Sequence, residues 1–108
     1  MGIKAIVYIV ERGKANAIVK KVVEAGANGA TIFFARGAGE DTFSFFHSLN
    51  IDSSKEVLLT LVPEEKKKAV MDAIREAAKK DEKSKGLLFS FSVDDIKGAG
   101  LENQETKS

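Results

Sequence analysis

Ile3 to Val10 (IKAIVYIV) is β-branched and apolar at nearly every position, the pattern of a central strand buried on both faces. Glu11, Arg12 and Gly13 end that run. Ala15, Ile18, Val19 and Val22 then recur at helical spacing, with Lys20, Lys21 and Glu24 on the opposite side, which predicts a first amphipathic helix. Gly26 falls where a left-handed residue closes a helix, and Ala30 to Arg36 (ATIFFAR) predicts a second strand. From Glu40 to Ser54 neither period holds, over a length beyond the usual connection of about 4 to 6 residues; residues 37–54 are expected to form a long loop. Glu56 to Val62 (EVLLTLV) predicts a third strand, apolar on both faces. Pro63 at the first helical position, with Glu64 and Glu65 in the first turn, starts a second helix whose buried stripe is Val70, Ala73, Ile74, Ala77 and Ala78. Lys79 to Lys85 (KKDEKSK) is expected to be a solvated charged turn. Leu87, Phe89, Phe91 and Val93 then alternate with serines in a fourth strand with one wetter face. Residues 98–108 carry too little apolar content to pack and are expected to fray.

The order strand, helix, strand, strand, helix, strand is the ferredoxin-like βαββαβ arrangement of the α+β class, with strands one and three in the middle and two and four at the edges. Two helices cover one face of a four-stranded sheet. Yet Ile6, Tyr8 and Val10 on one parity of strand one, and Ile3, Ala5, Val7 and Ile9 on the other, are all apolar. The uncovered face would expose on the order of several hundred Å², which in soluble proteins marks an interface. The expectation is a closed assembly of copies with their sheets packed together; the other solution is a monomer with loop and tail folded over that face.

At 108 residues and 11.7 kDa the chain has room for one domain, placed at residues 1–97. It has no cysteine and one histidine, His47, which removes disulfide frameworks, thiolate or His-rich metal sites and a cysteine nucleophile; no metal is expected. Seventeen Lys plus Arg against sixteen Asp plus Glu leave +1, too little to steer the chain to nucleic acid or an anionic membrane. The apolar start, Met1 to Val10, is far shorter than the roughly 20 residues of a membrane span. A cytoplasmic protein without direct membrane insertion is expected.

Three features carry candidate chemistry. Gly37, Ala38 and Gly39 lie where strand two runs into the loop, where glycines let backbone amides approach a phosphate; an ordinary strand exit needs the same residues. Phe43, Phe45 and Phe46, followed by His47, concentrate apolar area in a polar loop, as docking anchors do; folding back as a lid is the other reading. Lys79, Lys80, Lys83 and Lys85 before Gly86 could hold polyphosphate, or simply be solvated. The carboxylate pairs Asp94–Asp95 and Glu40–Asp41 are adjacent in sequence, so in extended chain each pair points opposite ways. No catalytic residue is assigned, and the chain is not expected to be an enzyme.

Thr31 within GATIFFARGAG, KEVLLTLVPEE followed by the helix AVMDAIREAA, and the final GLLFSFSVDD resemble the PII nitrogen-regulatory signal-transduction superfamily, over about Ile3 to Ile96. The resemblance implies a trimer of ferredoxin-like subunits with sheets lining the inside. It implies an adenine nucleotide (ATP, ADP or AMP) in clefts between subunits, and a long T-loop after strand two that docks on a target protein such as a transporter or metabolic enzyme. It further implies that Gly29, Ala30 and Thr31 form one wall of the cleft, that Gly37, Ala38 and Gly39 form the loop base, that Lys55 occupies a basic position, and that Gly86 lies in a second, basic loop. Phe43, Phe45, Phe46 and His47 become the partner-facing residues. This chain departs from the family pattern at several places. Glu40 and Asp41 stand where the family carries a basic residue and a glutamine, Leu87 replaces the lysine after Gly86, and only Lys97 is basic where two arginines follow strand four. The loop is shorter and lacks a tyrosine, so uridylylation has no acceptor. A PII-like regulator with an altered triphosphate site is expected; the alternative is a non-sensing interaction module of the same fold.

Overall fold

The computed structural model describes residues 2–36 and 54–100. Among them β1 (Ile3–Glu11), α1 (Ala15–Glu24), β2 (Thr31–Arg36), β3 (Ser54–Pro63), α2 (Glu64–Lys79) and β4 (Gly86–Val93) follow in order, with a 3-10 turn at Glu82–Ser84 before β4. The four strands form one sheet in the order β2-β3-β1-β4, and each neighbouring pair is antiparallel. This is the ferredoxin-like βαββαβ arrangement expected from the sequence.

Ile6, Tyr8 and Val10 of β1 lie opposite Thr60, Leu58 and Glu56 of β3, and this face meets the helices. Ile18 and Val22 of α1 and Val70 and Ile74 of α2 close over it, all essentially excluded from solvent. The helices stay because their apolar stripes match that surface. α1 ends where the Gly26 amide donates to the Val23 carbonyl and the Ala27 amide to the Val22 carbonyl, with Gly26 at φ 123°, the paired bonds of a Schellman cap. Pro63 stands just before α2 in extended conformation rather than at its first helical position, and the Glu64 amide donates to the Gly2 carbonyl at 2.9 Å.

Several boundaries differ from the sequence reading. β3 begins at Ser54, paired with Arg36, and Lys55 pairs with Glu11; the expected loop 37–54 therefore gives up Ser54 to the sheet. Backbone pairing is indifferent to side-chain polarity, so polar strand ends escape a hydropathy pattern. β2 begins at Thr31 rather than Ala30. In α2, Ala73, Ala77 and Ala78 are half-buried rather than core. The remainder of the loop and the tail residues 101–108 lie outside the described residues.

The opposite face is apolar and, among the described residues, carries no helix. Ile3, Ala5, Val7 and Ile9 lie opposite Pro63, Leu61, Leu59 and Val57 on one side and Val93, Phe91, Phe89 and Leu87 on the other. The alternation of β4 thus turns its aromatic side away from the helices and places Ser90 and Ser92 toward them. Phe33, Leu61 and Phe91 are 46%, 44% and 52% exposed.

Ile74 is fully buried between α2 and the sheet. Ile74→Ala is expected to lower the unfolding free energy by about 2–5 kcal/mol, measured by equilibrium urea denaturation. A loss below about 1 kcal/mol would mean that the helix layer does not depend on this contact.

Candidate functional site: a basic groove at one end of the sheet

At the end of β1 the strand meets two short segments, the turn into α1 and the 3-10 turn before β4. Glu11, Arg12, Lys14, Glu82, Lys83 and Lys85 line an open groove of about 530 Å³ between them. Four cations face two carboxylates there. The Glu82 carboxylate holds the Lys85 ammonium at 2.9 Å, and Glu11 takes Lys55 Nζ at 2.5 Å. The Arg12 guanidinium lies 4.7 Å from the centre of the Phe34 ring, a cation–π contact at the groove's rim.

The 3-10 turn is tied down from both sides. Asp81 accepts from the Lys83 amide at 3.0 Å, from Ser84 Oγ at 3.3 Å and from Lys14 Nζ at 3.0 Å. The Lys14 ammonium first, and the Lys83 amide second, hold the Asp81 carboxyl below the usual carboxylate range, since both favour its charged form. From inside, the Tyr8 hydroxyl donates to the Ser84 carbonyl, and burial pushes the Tyr8 phenol up to about 12. The stretch expected to be merely solvated therefore contains a buried residue, Ser84. On the other side of β1, the buried Glu56 carboxylate accepts the Ala15 amide at 2.9 Å. It satisfies one of the open donors at the start of α1, where Lys14 makes no side-chain cap.

Residues 3–100 match the family described as nitrogen regulatory protein P-II. The chain belongs to the P-II family. No curated protein matches it. Among solved structures it is similar to one described as the structure of CPII bound to ADP, AMP and acetate, from Thiomonas intermedia K12. That likeness has 21% identity and a TM-score of 0.62, and covers 84% of this chain and 85% of that one.

In this P-II chain the site residues expected from sequence fall into four groups. Gly29, Ala30 and Thr31 lead into β2, and the Gly29 carbonyl accepts from Thr60 Oγ1 at 2.6 Å. Lys55 is buried in β3, 3% exposed, and its ammonium meets Glu11. Gly86 opens β4 opposite Val10; a methyl group there would run into the Ile9 carbonyl oxygen, so the close approach of β4 to β1 itself demands glycine. β2 and β4 are opposite edges of the sheet, separated by three strand spacings or about 14 Å. One chain does not bring Thr31 and Gly86 together. Gly37, Ala38, Gly39, Phe43, Phe45, Phe46 and His47 lie outside the described residues.

Arg12, Lys14, Tyr8 and Asp81 were not singled out by the sequence reading. Asp81 has a local signal, an Asp two and three residues before the amide and hydroxyl it accepts from. Tyr8 has a weaker one, a lone phenol in an apolar strand that must find an acceptor. Among the described residues no group of three His, Cys, Asp or Glu side chains could hold a metal ion, and no helix is long and apolar enough to cross a membrane.

Because the Asp81 carboxyl is depressed in the folded chain, its contribution to stability is complete above its unfolded value near 3.8 and is lost as pH falls through the lower folded value. Urea unfolding as a function of pH should therefore show the wild type losing stability below about pH 4 more steeply than Asp81→Asn. Parallel curves would mean that the Lys14–Asp81 contact does not persist in solution.

Proposed function

We propose that this P-II protein is a trimeric cytoplasmic regulator that senses an adenine nucleotide at clefts shared between subunits. It would report the bound state to a target protein, a transporter or metabolic enzyme, through the segment joining β2 to β3. The observation that carries this reading is the groove of Arg12, Lys14, Lys83 and Lys85. It lies at the end of the sheet where Arg36 of β2 and Ser54 of β3 pair, so the joining segment departs from the same end. Its excess of cations suits a phosphate-bearing ligand, and the similar CPII structure is described as bound to ADP and AMP. Glu40 and Asp41 follow Gly39 in the chain and favour a ligand with fewer phosphates than ATP by like-charge repulsion.

The sheet face opposite the helices supports assembly: its centre at Ala5, Val7 and Val57 is buried, while Phe33, Leu61, Phe89 and Phe91 stay exposed, more apolar surface than a lone subunit carries. Assembly also supplies what one chain lacks, a β2 edge with Gly29, Ala30 and Thr31 beside a β4 edge with Gly86. Gly37, Ala38 and Gly39 would form the base of the joining segment, Lys55 would support the groove through Glu11, and Phe43, Phe45, Phe46 and His47 would contact the target. Ligand binding moves that segment only by its difference in affinity for the segment's two states. A second reading, a non-sensing interaction module, is favoured by the groove's internal ion pairs, which already engage Lys14 and Lys85.

Sedimentation of the purified chain is expected to give a particle of about three times 11.7 kDa. Calorimetry against ATP, ADP, AMP and cyclic AMP should then show saturable binding, weaker for ATP than for ADP or AMP. Silence across the panel favours the module, and a single-chain particle at micromolar concentration removes the shared cleft.

A further inference from the structure

We infer that Tyr8, a core residue that does not line the groove, is the positioning residue for its basic turn: the phenolic hydroxyl fixes Ser84 and thereby sets where Lys83 and Lys85 stand. This rests on the reading that the groove takes the phosphates of a nucleotide.

Tyr8 sits in the middle of β1, 2% exposed, its ring packed in the core with Leu58 across the strand pair. A phenylalanine would fill the same space. What the tyrosine adds is one donor, and it is aimed at the carbonyl of Ser84, inside the turn Glu82–Ser84. That carbonyl belongs to the peptide unit that also carries the Lys85 amide, which donates to Glu82 at 3.4 Å. Fixing the oxygen therefore fixes the plane from which Lys85 departs, and Lys83 directly precedes Ser84. The ring adds a second constraint, because its edge stands 3.3 Å from where a side chain on Gly86 would begin. The turn is thus held between Ser84 and Gly86 from the core side. Asp81 and Lys14 hold it from the solvent side. Burial keeps the phenol protonated far above neutral pH, so the hydroxyl is always available to donate. A groove that is electrostatic in character gains affinity when its charges are held in place before the ligand arrives.

The test compares the full-length wild type, Tyr8→Phe, Lys83→Ala and the double variant, with ADP as the calorimetric probe and amide hydrogen exchange as a ligand-free readout. Tyr8→Phe should weaken ADP binding about tenfold, the equivalent of one well-placed hydrogen bond. Lys83→Ala should weaken wild-type binding but cost less than about twofold more in the Tyr8→Phe background, the signature of coupled residues. Without ligand, the Ser84 and Lys85 amides should exchange at least about tenfold faster in Tyr8→Phe, while amides pairing β1 with β3 are unchanged. Unchanged exchange at the turn overturns the inference, as does a Tyr8→Phe affinity within twofold of wild type or fully multiplicative effects of the two substitutions. If wild type binds none of the nucleotides, the proposed function fails, and the exchange measurement alone decides the role of Tyr8.

Discussion

A sheet whose two central strands are apolar on both faces needs more cover than two helices provide, and most of this molecule follows from that mismatch. β1 and β3 contribute Ile6, Tyr8, Val10, Leu58 and Val62 to the helix side, and Ala5, Val7, Val57 and Leu61 to the other. Burial of apolar area on the helix side holds the helices to the sheet. The other side is apolar too and, among the described residues, has no helix, even at the edge, where β4 turns Phe89 and Phe91 away from the helix-side core. Strand register makes this choice binary: a slip of one residue in β4 would send both phenylalanines to the helix side.

The same sheet organises the charged groove. Because β1 and β3 are antiparallel, the end of β1, the start of β3 and the start of β4 meet at one end of the molecule. Glu11, Lys55 and the 3-10 turn are brought together there. Individual ion pairs at such a solvent-exposed rim contribute little to stability. Their consequence is geometric. Lys14 is drawn to Asp81, Lys85 to Glu82 and Lys55 to Glu11, so each of these cations is paired at this end of the sheet. The buried Glu56 carboxylate, at the first amide of α1, anchors the turn from β1 into α1 that carries Lys14. Rigid core and polar rim are therefore one construction, joined through Tyr8.

Much of the fold was legible in the hydropathy pattern. Ala15, Ile18 and Val22 announced the buried stripe of α1, and Val70 and Ile74 that of α2, because helical periodicity and burial report the same angle. The two-faced character of β1 was visible because every residue of the run Ile3 to Val10 except Lys4 is apolar. The partners of the polar residues in the same elements were not visible. Lys55, Glu56 and Thr60 are buried in β3, each satisfied by a partner distant in sequence: Glu11, Ala15 and Gly29. A polar residue at a strand's edge looks like the end of the strand until its partner is known. Lys83 and Lys85 were noticed as charges, whereas the bond from Tyr8 that gives their turn a fixed shape spans 76 residues.

By itself, then, the sequence determined the secondary elements, the βαββαβ order and the existence of an apolar face too large for two helices, since these depend on local periodicity and composition. The tertiary structure alone decided which parity of β4 faces outward. It alone joined Tyr8, Asp81 and Lys14 around one turn. Such relations are pairings between residues far apart in the chain, and only the folded sheet sets those distances.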